Sequence, residues 1–267
     1  MVFMASRRRF ASLAAVVGLS LVVGGVAYAA SAPAIQTSTP KFADQVTNLD
    51  VLRQQIRNYY GDPLNTGTFT ADSNYAKEAS SVAADGARWL ATGWRGKAAG
   101  MKAIVIDVDD TTLATWNYEI YSNWDYNPTT NGDFVTNERF PAVPGMVDMV
   151  DQAEAEGYAI IVITGRPFTQ QAVTVDNLTK VGYPAPDLTF TKPTAVKDYP
   201  LYLQTACAVE IAALKSCTTD HYKAATRGYI ESLGYDIVAN FGDQFSDFTG
   251  GFEDRTFKMP NPNYFLP

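Results

Sequence analysis

Lys102-Ala103-Ile104-Val105-Ile106-Asp107-Val108-Asp109-Asp110-Thr111 is the stretch on which the fold turns. Residues 103–106 are an unbroken apolar run, as expected of a strand buried on both faces, whereas a half-exposed strand alternates apolar and polar residues. Strands of that kind belong to parallel sheets covered by helices on both sides. The run stops at carboxylates. In an open parallel sheet the residues just past the carboxyl ends of the strands converge on the ligand site.

Two further runs share this texture. Residues 158–163 end in Thr164-Gly165-Arg166, and residues 236–241 end in Gly242-Asp243-Gln244-Phe245-Ser246-Asp247. A short strand is predicted at 187–191. Between the strands, helices are predicted from Pro144-Gly145 to about 156, over 168–181 and over 220–233. The alternation predicts an α/β fold, a doubly wound parallel sheet of Rossmann-like type, over 101–267. Ahead of it, Val46, Leu49, Val51, Leu52 and Ile56 fall near helical spacing, and Tyr75, Ala79, Val82 and Leu90 repeat the pattern over 73–91. Gly86 lies on that second face and weakens the helix by its low propensity. A helical part, 45–100, and the α/β core, 101–267, are read together as one domain.

The 267 residues are 46% hydrophobic and 18% charged, enough apolar material for a full core without metal or disulfide staples. Lys and Arg number 21 against 28 Asp and Glu, and the resulting net charge of −7 argues against a nucleic-acid partner. The single histidine, His221, excludes mechanisms that need two. Carboxylates, hydroxyls or lysine must carry any chemistry. Arg7-Arg8-Arg9 precedes an apolar run over 10–30, and Ala27-Tyr28-Ala29 supplies small residues for cleavage after Ala29. Residues 1–29 read as a cleaved export signal, by the twin-arginine or the general secretory route, leaving no stable membrane anchor. A Ser/Thr/Pro/Ala-rich linker, 30–44, follows. The expected product is a secreted, acidic protein.

Asp107, Asp109, Asp243 and Asp247, crowded at one sheet edge, would repel one another without a cation among them. A hard, oxygen-ligated ion is the economical answer, Mg²⁺ by default. Asp107 can act both as metal ligand and as nucleophile toward phosphorus, and Asp109 as general acid and base. Thr164 offers a hydroxyl, and Lys223, near the start of the last helix, a positive charge for phosphoryl oxygens.

The four signatures appear in order: Asp-x-Asp-x-Thr at 107–111, Thr164-Gly165-Arg166, Lys223, and Gly-Asp-x-x-x-Asp at 242–247. In these the sequence resembles the haloacid dehalogenase superfamily. Tyr222-Lys223 with Arg227, Gly234-Tyr235-Asp236-Ile237-Val238, and the string Phe257-Lys258-Met259-Pro260-Asn261-Pro262-Asn263-Tyr264 narrow the resemblance to subfamily IIIB acid phosphatases, which include plant vegetative storage proteins. It covers about 45–265. It implies an exported Mg²⁺-dependent phosphomonoesterase working through an aspartyl-phosphate, with a small phosphomonoester as substrate. Asp107 is then nucleophile and Asp109 acid/base, with Asp109 also reaching the metal through its backbone carbonyl. Asp243 becomes a metal ligand, Thr164, Gly165 and Lys223 bind phosphate, and Asp247 stands behind the metal. A storage or binding protein on the same scaffold is the alternative. Asp110 stands where many relatives have Glu, Phe245 where many have Trp, and Ala114-Thr115 where plant relatives have Ser-Asn.

Each residue also has a plainer reading. Thr164 and Asp247 could cap helices, Lys223 could be a surface lysine, and His221 reads as structural or surface. Trp116, Tyr118, Tyr121, Trp124 and Tyr126 read either as lining for a leaving-group pocket or as packing. Cys207 and Cys217, ten positions apart in a segment, 193–219, that is longer than in plant relatives, are expected to form a disulfide in an exported chain. That segment is expected to wall or partly cover the phosphate site.

Overall fold

The computed structural model describes residues 39–92 and 100–266. The export-signal reading of 1–29 and most of the linker reading lie outside them. The elements run α1 (Leu49–Tyr59), α2 (Asn74–Thr92), β1 (Met101–Ile106), α3 (Trp116–Ser122), α4 (Pro128–Thr136), α5 (Met146–Ala155), β2 (Ala159–Pro167), α6 (Gln171–Lys180), β3 (Leu188–Lys192), α7 (Leu201–Ala206), α8 (Ala208–Leu214), α9 (Thr219–Ser232), β4 (Tyr235–Gly242) and β5 (Thr256–Lys258). The strands form one sheet in the order β3-β2-β1-β4-β5, and every pairing is parallel.

The unbroken apolar runs follow from burial on two sides. Ile104 and Ile106 of β1, Ile160 and Val162 of β2, and Val238 of β4 face one core, which holds Ala79, Ala83, Met149 and Leu178 from α2, α5 and α6. Their alternates Ala103, Val105, Ile161, Ile163 and Ile237 face a second core with Leu203 of α7 and Tyr222 and Ile230 of α9. A residue facing either way meets hydrocarbon, and a polar side chain there needs a partner of its own, as Asn240 of β4 finds in the Asp247 carbonyl at 2.8 Å.

The two N-terminal helices differ in how they use their apolar faces. Along α2, Tyr75, Ala79 and Leu90 are buried as the spacing predicts, whereas Val82 is only half-buried and Ala83 takes the buried place beside it. Gly86 is not a weakness there: a Cβ would come within 2.5 Å of the Phe241 ring, which stacks on Phe257 at 4.6 Å. Helix and sheet approach this closely because the side chain is missing. Gly86→Ala should therefore destabilise the protein by about 1–2 kcal/mol in urea unfolding, although helix propensity alone favours Ala by about 1 kcal/mol. A stabilising Gly86→Ala would mean that the Phe241 ring gives way freely. In α1 the expected stripe is not buried. Val46, Leu49, Val51 and Leu52 are exposed, and only Ile56 of the set is buried. Asn48 caps this helix by accepting from the Asp50 and Val51 amides, so it starts after Val46, and only its last turn reaches the core.

Cys207 and Cys217 form the expected disulfide, with Cα atoms 5.4 Å apart. Closing so short a loop contributes on the order of 2–3 kcal/mol by chain-entropy arguments. Tyr199, Leu203, Cys207 and Cys217 pack into the second core beneath α9, so the segment 193–219 covers a sheet face. Of the expected wall or cover for the phosphate site, the segment supplies wall at Thr219, which lines the cleft at the carboxyl ends of the strands. Apolar side chains at these four positions commit the segment to the sheet. His221 is an exposed side chain against Glu210, its Nδ1 2.7 Å from Oε1.

Candidate active site

A cleft of about 500 Å³ opens over the carboxyl ends of β1, β2 and β4. The Asp107 amide donates to the Phe241 carbonyl at 3.0 Å, which carries the β1–β4 ladder one residue past β1 and brings Asp107 level with Asp243. The chain then turns sharply. The amides of Thr112 and Leu113 both donate to the Val108 carbonyl, and Asp110 takes φ +53°, a left-handed conformation that Asp tolerates better than most residues. Asp110 is buried, and its carboxylate accepts from the Thr115 amide at 2.9 Å and hydroxyl at 2.5 Å. The loop is thereby fixed beneath Asp107.

Lys223 projects from the first turns of α9 and is 5% exposed, which rules out the surface-lysine reading. Its Nζ donates to Asp107 Oδ1 at 2.7 Å and pairs with Asp247 Oδ1. Asp107, Asp243 and Asp247 each offer an oxygen within 4.8 Å of the others. Asp243 Oδ2 accepts from Asn261 Nδ2 at 2.7 Å and Gln244 Nε2 at 2.5 Å. Asp247 Oδ2 accepts from the Gln244 amide at 2.9 Å, across a short 3-10 turn at Phe245–Asp247. Asp247 thus caps that turn and braces Lys223 at once, which joins its two sequence readings. Arg227 of α9 donates to the carbonyls of Asp247, Thr249 and Gly251 and pairs with Glu253, anchoring the loop behind the site.

One part of the crowding expected from the sequence is corrected. Asp109 is not in the three-carboxylate cluster. It lies across the cleft, where Arg166 holds both its oxygens, Nε to Oδ2 at 3.1 Å and NH2 to Oδ1 at 2.7 Å. Residues two apart on a continuing strand would share a side, but the chain leaves β1 after Ile106 and turns around the Val108 carbonyl, and Asp107 and Asp109 diverge. Arg166 is itself buried and donates to Thr174 Oγ1 at 3.0 Å. Thr164 is buried on the cleft floor within β2, its hydroxyl accepting from the Arg166 amide at 3.2 Å, so it caps no helix; Gly165 beside it is exposed to the cleft.

The aromatic cluster divides. Trp116 is buried and stacks on Tyr60 with ring centroids 4.1 Å apart, and Tyr121 is exposed and packs on Phe134. Tyr118, Trp124 and Tyr126 line the cleft. Neither Arg166 as partner of Asp109 nor Glu119 as a cleft residue is expected from composition or periodicity. The string Thr164-Gly165-Arg166 carries the only sequence signal for the former.

Burial pushes Asp107 upward from the ordinary carboxylate range, with Lys223 opposing and Asp247 and Asp243 adding to the rise. Burial lowers the affinity of Lys223 for its proton, but the two facing carboxylates outweigh it and keep the ammonium charged. Asp243 is pushed to about 7 by burial, then by Asp247 and Asp110. One ammonium does not balance three carboxylates, and their all-oxygen donor set fits a hard divalent cation such as Mg²⁺. Asp110 and Glu119 are also raised to about 7, chiefly by burial. Without a cation, the native state holds more protons than the unfolded chain between about pH 4 and 7, so stability must fall as pH rises through that window. In chelator, the melting temperature should drop from about pH 5 to 7.5, and Mg²⁺ should shrink the drop by replacing the proton on Asp243. A flat profile in chelator would contradict this burial of carboxylates.

The match to known proteins agrees with this geometry. The family model for the HAD superfamily, subfamily IIIB (acid phosphatase), matches residues 26–267. The Stem 28 kDa glycoprotein of Glycine max is 35% identical over 167 residues, 61% of this chain and 59% of that protein. Acid phosphatase 1 of Solanum lycopersicum is 28% identical over 173 residues, 62% of this chain and 60% of that protein. The chain thus spans about three-fifths of the length of these two plant relatives. The crystal structure of a class C acid phosphatase from Bacillus anthracis with tungstate bound shares the fold, with a TM-score of 0.54 at 22% identity over 80% of this chain and 86% of that one. Sheet order, strand-end carboxylates and a match across nearly the whole sequence lead to one assignment: the chain belongs to the HAD superfamily, subfamily IIIB.

Proposed function

We propose that the protein is an exported acid phosphatase that hydrolyses small phosphomonoesters through an aspartyl-phosphate on Asp107. The observation that carries this reading is the placement of Asp107 on the cleft floor, its Oδ1 held 2.7 Å from Lys223 Nζ, with no hydrogen bond to Oδ2 among the described residues. An oriented carboxylate with a free oxygen is what in-line attack on phosphorus requires. Asp107 attacks, the ester P–O bond breaks, and the leaving oxygen takes a proton from Asp109. Water then attacks the phosphorus, giving a proton to Asp109, and the Asp107–phosphorus bond breaks to release phosphate. For Asp109 to pass a proton, one of its two Arg166 bonds must open. Thr164, Gly165 and Lys223 line the cleft with Asp107, which supports the Thr164 hydroxyl and the Gly165 backbone as partners of the phosphoryl oxygens and Lys223 as the balance to their charge.

Asp107 and Asp243, with Asp247 behind them and the Asp109 carbonyl, are the residues proposed to hold Mg²⁺. When bound, the ion supplies charge neutralisation for the phosphoryl group. Residues 1–29 are proposed as a removed export signal and 30–44 as a linker ahead of one phosphatase domain. The disulfide supports an oxidising destination, since cytosolic thiols are kept reduced. Among the described residues no helix is long and apolar enough to cross a membrane.

Hydrolysis of p-nitrophenyl phosphate from pH 4 to 9, with Mg²⁺ or with chelator, tests the reading. Turnover that needs the metal is expected. Absence of turnover under every condition would favour the storage alternative, against which the Asp107–Lys223 pair now stands.

A further inference from the structure

The phosphoryl chemistry leaves one buried charge of the cleft unused. Glu119, on α3, is 9% exposed and lines the cleft, yet among the described residues its carboxylate has no hydrogen bond and no ion pair. The two cations that line the cleft are already engaged, Lys223 with Asp107 and Asp247 and Arg166 with Asp109. Around Glu119 the wall is aromatic: Tyr118, Trp124 and Tyr126 line the same cavity. Arg53 and Arg57 lie over the Trp124 ring, at 5.4 and 5.6 Å, but neither lines the cleft. Leaving a carboxylate in such a place without a partner is unfavourable. Its cost is visible in the upward displacement of its proton affinity to about 7, caused first by burial and then by the Asp109 charge. Glu119 and Asp109 line the same cleft, so Glu119 faces the leaving-group side of the proposed reaction.

A carboxylate without a counter-charge, set among electron-rich ring faces, is the donor set that recognises an organic ammonium group. We propose that the leaving-group side of the cleft is built for a cationic alcohol, so that the preferred substrates are phosphomonoesters of short amino or quaternary-ammonium alcohols, with Glu119 as the specificity-determining residue. This rests on the phosphatase reading above. Glu119 pairs with the ammonium of the bound ester while the aromatic walls exclude water from it, and the phosphoryl group sits at Asp107. A neutral leaving group of the same shape leaves Glu119 unpaired and is discriminated against.

The test compares wild-type kcat/KM for phosphocholine and 2-aminoethyl phosphate with that for 3,3-dimethylbutyl phosphate, the neutral isostere of phosphocholine, at pH 7.5 with Mg²⁺. A preference of about tenfold or more for the cationic esters is expected, carried mainly by KM. Glu119→Gln should bring the ratio close to one, and Glu119→Asp should keep part of it. The ratio is the readout, so a general loss of rate in a variant does not mimic the effect. If p-nitrophenyl phosphate is hydrolysed but the cationic and neutral esters react alike, this proposal fails and the phosphatase reading stands. If the neutral ester, or a polyol phosphate such as glycerol phosphate, is preferred, Glu119 acts as a neutral hydrogen-bonding acid and the proposal also fails. If no ester is turned over, both readings fall together.

Discussion

Replacing Asp107 by Asn should lower phosphatase turnover by roughly four powers of ten or more, with the fold unchanged. The amide keeps the shape of the side chain but cannot attack phosphorus, so the covalent route closes. Stability should not suffer. Lys223 retains Asp247 as a partner, and one of three mutually repelling buried carboxylates is gone. In chelator near pH 7.5, Asp107→Asn should therefore melt at or above the wild-type temperature, while at pH 5, where burial favours the protonated forms of Asp107 and Asp243, the two should converge. A variant retaining more than about a tenth of the wild-type rate would remove Asp107 as nucleophile. A variant that melted well below wild type would instead show that Asp107 serves the fold through its Lys223 pair.

Lys223→Met should produce the second-largest effect, and on two separate scales. The rate should drop by about 10²–10³, the usual consequence of losing one preorganised charge on a developing anion. Stability near pH 7.5 without metal should fall by about 3–5 kcal/mol, because Asp107 and Asp247 lose the ammonium that pairs with both while remaining buried. The loss should be smaller near pH 5, since protonation of the stranded carboxylates substitutes for the missing charge. Urea unfolding at the two pH values and steady-state kinetics check this together. A variant within threefold of wild type in rate, and equally stable at both pH values, would return Lys223 to the status of an ordinary lysine.

The parts of the fold that were legible in the sequence were those in which burial constrains both faces of an element. Residues 103–106 and 236–241 could be read as strands to within two residues, and 158–163 at its start, because nearly every position meets hydrocarbon; β2 runs on to Pro167, past its apolar run. β5 was not legible. It is three residues long at the sheet edge, with only Phe257 buried, and it leaves no period to detect. Helix α3 was read only as part of an aromatic cluster, since Trp116–Ser122 is short and mixes aromatic and polar residues with no single face, and α4 (Pro128–Thr136) was not read at all. The carboxylates at the strand ends could be placed because topology alone sends them to one edge. Their division into a cluster of three and a separate Asp109–Arg166 pair could not, because it depends on side-chain direction after the turn at Asp110. Glu119 escaped notice for a related reason. A buried charge within a helix looks in sequence like any solvated one, and only the absence of a partner distinguishes it. Gly86 was read backwards, as a liability in a helix, because its role is set by a ring 155 positions away in sequence (241 − 86).

The strand order also dictates how the molecule must be assembled in time. β1 sits at the centre of the sheet between β2, the next strand in the chain, and β4, which starts only at Tyr235. As a chain emerges from a ribosome or crosses a translocation pore, β1 and β2 can pair early, but the other edge of β1, carrying Ile104, Val105 and Ile106, stays open until more than a hundred further residues have followed (235 − 106). An open apolar edge of that kind invites pairing with other chains. The hazard is greatest in the interval before β4 arrives. Because Asp243 and Asp247 lie beyond β4, the carboxylate cluster closes in the same step that seals the edge. A chain arrested before that point is aggregation-prone and catalytically silent together.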